Sequence, residues 1–161
     1  MNELKEISER VVKELIEKNI SISAAESMTG GLFAKTFTDV PGASAVFDRS
    51  LVTYSKRAKA EELNVNLKEI SIYGVVSKEV ASLMATGLSN KAGSKICVSI
   101  TGVAGPGPDG NVPAGTFYIG IYSNNRARVT KFELGELGRD AVREQACIKM
   151  FEIVEETIKT I

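Results

Sequence analysis

The chain has 161 residues, 43% of them hydrophobic and 25% charged, which is the size and makeup of a single globular domain with its own core. Twenty Lys+Arg balance twenty Asp+Glu, so there is no basic excess of the kind that marks a dedicated nucleic-acid binder or a polybasic membrane anchor. Histidine is absent altogether. That excludes a Ser-His-Asp triad, a Cys-His pair and any His-ligated metal.

The opening residues, MNELKEISER, are charged and carry no apolar leader. No apolar run approaches the roughly 18 residues that a membrane span needs, so a cytoplasmic chain is expected. Leu4, Ile7, Val11 and Leu15 recur at helical spacing and predict an amphipathic first helix. Ile20 and Ile22 alternate with serines into Ala24 and Ala25, which predicts a short strand. A helix should open near Thr29-Gly30-Gly31 and stop before Pro41, because the residue preceding a proline resists helical backbone. Residues 49–54 (RSLVTY) predict a second strand, followed by a short charged helix through Lys59 to Leu63 and a longer one capped by Ser77.

Residues 95–101 (KICVSIT) form a nearly continuous apolar run, typical of a strand buried on both faces. A glycine- and proline-rich loop comes next. Residues 116–122 and 127–134 then flank Asn124-Asn125, a hairpin signature, and one long helix starts at about Arg139. Early strands separated by helices favour parallel pairing, while the late hairpin forces an antiparallel neighbour. The expected architecture is one domain over 1–161, an α/β fold built as a three-layer α/β/α sandwich around a mixed sheet of about five strands. Cys97 and Cys147 show neither metal-ligand spacing nor a disulfide framework and read as reduced core thiols.

Three segments carry chemistry. Residues 24–31 (AAESMTGG) lead a strand into a helix through a tight turn, where the first helical N–H groups lack carbonyl partners and favour anions or developing oxyanions. Ser27 is there either a nucleophile or, like Thr29, a helix cap, with Gly30-Gly31 permitting close packing. Without histidine a serine nucleophile needs another base, and lysine serves when its pKa falls by roughly three units from ~10.4. Residues 52–62 (VTYSKRAKAEE) supply Tyr54, Lys56 and Lys59, each of which also reads as an ordinary packed or solvated residue.

The third segment is the loop from Thr101 to Gly115. Gly105, Gly107 and Gly110 formally satisfy G-x-G-x-x-G, but Pro106, Pro108 and Pro113 precede another strand instead of a helix, so a dinucleotide fingerprint is rejected. The loop does follow the carboxyl end of the most buried strand, where open α/β sheets bind ligands. Asp39, Asp48, Asp109 and Asp140 show no paired spacing that would argue for a carboxylate metal site. Arg139 and Arg143, four apart at the start of the last helix, fit either a bound anion or surface pairs with Asp140 or Glu144.

Taken in order, AAESMTGG, VTYSKRAK, SITGVAGPGP, PAGTFYIGI and RDAVREQA resemble, over nearly the whole chain, the C-terminal domain of the competence/damage-inducible protein CinA, the nicotinamide-nucleotide amidohydrolase family. The resemblance implies an amidase that converts nicotinamide mononucleotide to nicotinic acid mononucleotide and ammonia in pyridine-nucleotide recycling, with no cofactor and no metal. By position it implies Ser27 as nucleophile, Lys59 as its base and Tyr54 as a partner in proton transfer or orientation. It further implies substrate binding by Glu26, Thr29, Gly30, Gly31, Thr101, Gly102, Gly105 and Arg143, with the oxyanion near the N–H groups of Thr29, Gly30 and Gly31 and the phosphate at Arg143. A homodimer or higher homo-oligomer is implied, and no nucleic-acid or membrane partner. Departures from the family pattern are Met28 in place of cysteine, Val112 in place of lysine, and Leu137-Gly138-Arg139 without the acidic member. The separate N-terminal domain of many members is missing from this sequence, which reads as a stand-alone version. The competing reading is a nucleotide-binding or regulatory module without turnover, linked to competence or DNA damage.

Overall fold

The computed structural model describes residues 2–161. Its elements are α1 (Asn2–Lys18), β1 (Ile22–Glu26), α2 (Leu32–Thr38), a 3-10 turn (Ala43–Ala45), β2 (Phe47–Val52), α3 (Lys56–Leu63), α4 (Leu67–Tyr73), α5 (Lys78–Ala92), β3 (Ile96–Gly102), β4 (Thr116–Ser123), β5 (Arg126–Glu133) and α6 (Arg139–Ile158). The strands form one mixed sheet in the order β2-β1-β3-β4-β5. β1 runs parallel to both β2 and β3, and β3, β4 and β5 are successively antiparallel. Among the described residues, no helix is long and apolar enough to cross a membrane.

Strand alternation sorts the side chains into two cores. Ile22, Ala24, Ile96, Val98 and Ile100 join the cluster under α1, α2 and α6, which includes Phe33, Phe37 and Phe151. Ala25 and Cys97 face the other way, into a smaller cluster with Leu63, Ile70, Val80, Met84 and Leu88 of α3, α4 and α5. Helices therefore cover both faces, and this is why β1 and β3 are buried along almost their whole length. The expected three-layer α/β fold with a five-stranded mixed sheet is borne out. Both cysteines are buried and free, and burial pushes the Cys97 thiol up to about 11.

Local chemistry sets most boundaries. Ser77 Oγ accepts from the Val80 N–H at 3.2 Å and starts α5. Asn124 and Asn125 adopt φ of 51° and 59°, the left-handed pair that a two-residue hairpin turn requires. β2 lies two residues earlier than expected, and α2 begins only at Leu32. α4 carries no periodic signal: its single buried side chain is Ile70, while Leu67, Ile72 and Tyr73 are exposed.

The parallel strands bring their carboxyl ends to one edge of the sheet, and β5, parallel to β3 through the two antiparallel steps, delivers α6 there as well. α3 is held at that edge by a close crossing over α5. A Cβ at Gly87 of α5 would collide with the Leu63 carbonyl that ends α3. Gly87→Ala should therefore destabilise by about 1–3 kcal/mol through overpacking, against the gain of about 0.5–1 kcal/mol that Ala brings in an open helix. A thermal melt reads the sign, at about 2–4 °C per kcal/mol for a chain of this size.

Candidate active site

β1 ends at Glu26, and Ser27 is the first residue beyond it. The chain turns at once: the Gly30 N–H donates to the Ser27 carbonyl at 3.1 Å, and Gly30 and Gly31 take φ of 63° and 104°, a backbone that a Cβ would strain. This turn occupies the residues expected to open α2. Glu26 lies beneath it, fully buried. Its Oε1 accepts from Thr29 Oγ1 at 2.8 Å, Gly31 N at 3.2 Å and Phe33 N at 3.0 Å. Its Oε2 accepts from Ala34 N at 3.1 Å and Ser50 Oγ at 2.8 Å.

Two expectations change here. Glu26 has no free surface for a ligand, because its carboxylate is used by the fold. The N–H groups of Gly30 and Gly31, expected to be open, are committed to the Ser27 carbonyl and to Glu26. Among the described residues, the backbone N–H groups of Met28 and Thr29 donate to no protein acceptor.

α3 brings the second partner. Ser55 caps it, its Oγ accepting from the Ala58 N–H at 3.0 Å. Lys56 and Arg57 face solvent, but Lys59, one turn in, is 0% exposed. Its Nζ donates to Ser27 Oγ at 3.0 Å, to the Thr53 carbonyl at 2.7 Å and to the Tyr54 carbonyl at 3.4 Å. Burial lowers the Lys59 pKa from 10.5 to about 8. Carbonyls only accept, so in the neutral amine the two N–H bonds go to Thr53 and Tyr54 and the lone pair is left for the Ser27 hydroxyl. Of the two candidate lysines, Lys59 is the one that meets the serine.

Ser27, Met28, Tyr54 and Lys59 line a cleft of about 360 Å³, closed on its far side by the end of β3 (Thr101, Gly102), by Gly105 and Asp109 of the loop that follows, and by Arg139. Thr101 Oγ1 donates to the Val75 carbonyl at 2.9 Å, tying this strand end to the segment before α5. The Tyr54 side chain is 58% exposed at the rim, and its hydroxyl accepts from Arg139 Nη2 at 3.1 Å instead of meeting Ser27 or Lys59. Arg139 Nη1 also donates to the Gly105 carbonyl at 2.6 Å, and the Gly107 N–H donates to Glu136 Oε1 at 3.0 Å. Glu136, between β5 and α6, and Arg139, the first residue of α6, thus clasp the glycine loop.

Arg143 is placed differently. Its Nε donates to the Met28 carbonyl at 2.7 Å, and with Thr29, Gly30 and Gly31 it borders a second hollow, beside Lys35 and Asp140. The expected binding set therefore divides: Thr101, Gly102 and Gly105 line the cleft, whereas Thr29, Gly30, Gly31 and Arg143 line its neighbour. Sequence reasoning did not assign Arg139, Asp109 or Glu136 to the site. The spacing of Arg139 and Arg143 announced a cationic helix start without saying which arginine reaches the cleft.

The family model described as CinA C-terminal domain matches residues 4–158. The nicotinamide-nucleotide amidohydrolase PncC of Enterobacter agglomerans is 40% identical over 146 residues, covering 90% of this chain and 89% of that protein. The CinA-like protein of Kosmotoga olearia is 39% identical over 153 residues, 94% of this chain, but the chain spans only 37% of that longer relative. The same 37% share applies to the relatives from Oceanobacillus iheyensis and Caldicellulosiruptor saccharolyticus. Among solved structures, a competence-damaged protein (CinA) superfamily protein from Klebsiella pneumoniae superposes with a TM-score of 0.93 at 28% identity, over 98% of this chain and 99% of that one. With that family model matching residues 4–158 and a relative 40% identical across 90% of its length, the chain belongs to the CinA C-terminal domain family.

Proposed function

We propose that the chain is an amidohydrolase that deamidates nicotinamide mononucleotide to nicotinic acid mononucleotide and ammonia, within pyridine-nucleotide recycling, using Ser27 and Lys59. The observation that carries this reading is the fully buried Lys59 amine 3.0 Å from Ser27 Oγ at the floor of an open cleft. The likeness to the amidohydrolase PncC of Enterobacter agglomerans supports the substrate. The competence-damage names of other relatives favour a regulatory module instead, but such a module has no use for a buried amine that meets a serine and two carbonyls and no carboxylate.

In this mechanism the Ser27 hydroxyl gives its proton to neutral Lys59 as Oγ attacks the carboxamide carbon. The tetrahedral oxyanion forms beside Met28, whose N–H is uncommitted, as suits the residue following a nucleophile. Lys59 returns the proton to the departing nitrogen and ammonia leaves. Water, deprotonated by Lys59, then cleaves the ester to release the carboxylate and restore Ser27. Arg139, at the rim with Tyr54, is the cation that a substrate phosphate meets. Arg143 supports the turn from behind, through the Met28 carbonyl.

Incubation of the purified protein with nicotinamide mononucleotide should release ammonia, and binding without ammonia would favour the module. Ser27→Ala should abolish release, and a variant that keeps most of its turnover would remove Ser27 as nucleophile. Because the base must be neutral, kcat/KM should rise with pH and level off above the Lys59 pKa of about 8.

The same ionisation couples to folding. Between about 8 and 10.5 the unfolded lysine holds a proton that the folded one has lost, so stability should rise with pH across that window. Lys59→Met removes this dependence together with the chemistry. Paired melts of wild type and Lys59→Met from pH 7 to 10.5 should move in favour of the wild type by up to about 3 kcal/mol, and parallel curves would contradict a buried titrating amine.

Arg139→Ala should raise KM for the nucleotide much more than for the phosphate-free riboside. Arg143→Ala should affect both substrates alike. The opposite pattern would return the phosphate to Arg143.

A further inference from the structure

Glu26 is linked to both halves of the Ser27–Lys59 pair, through the turn on one side and through Thr53 on the other, without lining the cleft. Through its side chain it holds the turn that follows: the hydroxyl of Thr29 and the N–H groups of Gly31, Phe33 and Ala34 all donate to it. Ser50 of the neighbouring strand donates as well, so turn, helix and sheet meet on one carboxylate. Through its main chain Glu26 holds the other partner. Its carbonyl accepts from the Thr53 N–H at 2.8 Å, and the Thr53 carbonyl in turn accepts from Lys59 Nζ at 2.7 Å.

Five donors on two oxygens exceed the roughly four lone pairs a carboxylate offers, and every contact uses the group as an acceptor. Nothing remains for a substrate. The role is also hard to fill completely with another residue: an amide would set an NH2 group against protein N–H donors, and a shorter acid would keep the acceptor charge but reach fewer of the five donors.

We propose that Glu26 is the positioning residue of this site, its carboxylate fixing the 27–30 turn so that Ser27 Oγ stands on the Lys59 amine while the Met28 N–H stays uncommitted. The proposal rests on the Ser27–Lys59 reading and adds the device that makes the pair productive. It acts through Ser27 and not on the substrate. Loss of the carboxylate therefore lowers the chemical step and spares substrate affinity, and the ionisation of Lys59, set by its own burial, keeps its place in the pH profile.

The test compares wild type, Glu26→Gln and Glu26→Asp, all shown to be folded by melting, in two assays. With nicotinamide mononucleotide, Glu26→Gln should lose at least tenfold in kcat with KM within twofold and the midpoint of kcat/KM still near pH 8, and Glu26→Asp should recover part of the loss. A raised KM at unchanged kcat would make Glu26 a substrate ligand, a vanished midpoint would make it a titrating base, and wild-type kinetics would leave it no role. Each of these overturns the proposal.

The second assay does not depend on amidase activity. Phenylmethylsulfonyl fluoride bonds its sulfur to Ser27 Oγ as fluoride leaves and the hydroxyl proton passes to Lys59, and intact mass follows the rate. Sulfonylation should be at least tenfold slower in Glu26→Gln, and equal rates overturn the proposal. If wild type releases no ammonia yet is sulfonylated at Ser27 in a Glu26-dependent way, the amidase reading fails and the positioning role stands. No ammonia and no sulfonylation in wild type overturns both. Should Glu26→Gln not fold, Ser50→Ala and Thr29→Val each remove one donor: slower sulfonylation in either supports the proposal, and wild-type rates in both overturn it.

Discussion

The amine of Lys59, enclosed without a carboxylate to neutralise it, is the constraint around which the rest of the site is arranged. A lysine on a short, highly charged helix would ordinarily run its stem along the surface and leave its head in water. Here the neighbours Lys56 and Arg57 do that, while Lys59 turns inward to two carbonyls and one hydroxyl. Burial disfavours the charged form, and the pKa falls to about 8, into the range where an amine serves as a base near neutral pH. A buried amine of this kind takes up and gives up a proton in the range where histidine does so elsewhere, and the chain has no histidine.

Holding a group in that state demands rigidity on every side. The carbonyls that fix the amine belong to Thr53 and Tyr54, immediately after β2, and Thr53 is locked to β1 through the Glu26 carbonyl. α3 is pressed onto α5 where Gly87 allows backbone to approach backbone. The hydrophobic cluster of Leu63, Ile70, Met84 and Leu88 lies under these helices, so the polar contacts at the sheet edge rest on ordinary apolar packing. The opposite layer, with Phe33 and Phe151 4.6 Å apart at their ring centroids, anchors α2 and α6 and with them the serine turn and Arg139.

The strand directions explain why so many separate segments meet. Parallel β1, β2 and β3 end at one edge, and the antiparallel excursion through β4 returns β5 to the same edge before α6 begins. Serine turn, lysine helix, glycine loop and arginine clasp are thus four connections on a single side of the sheet. Such convergence at carboxyl ends is the usual place for a ligand in open α/β sheets, since side chains there extend beyond the last ladder bond.

Where information is local, the amino-acid string is sufficient. Apolar spacing in α1, the unbroken apolar run of β3, the serine cap of α5 and the paired asparagines of the hairpin each act within a few residues, and the fold class follows from their order. The absence of histidine and the presence of a turn serine narrow the chemistry in the same local way. Long-range placement is another matter. Local composition does not separate Lys56 from Lys59, which only the family resemblance singles out, and a helix's rotation against its sheet puts one in water and the other on Ser27. Arg139 and Arg143 share a helix turn, yet one reaches the cleft and the other the back of the serine turn. Glu26 reads as a ligand group beside a glycine turn. Its carboxylate turns beneath that turn because the N–H groups of α2 and the Ser50 hydroxyl lie within reach only after β1, β2 and α2 have packed. Distances between residues far apart in the chain are set by that packing, and short-range periodicity carries no record of them.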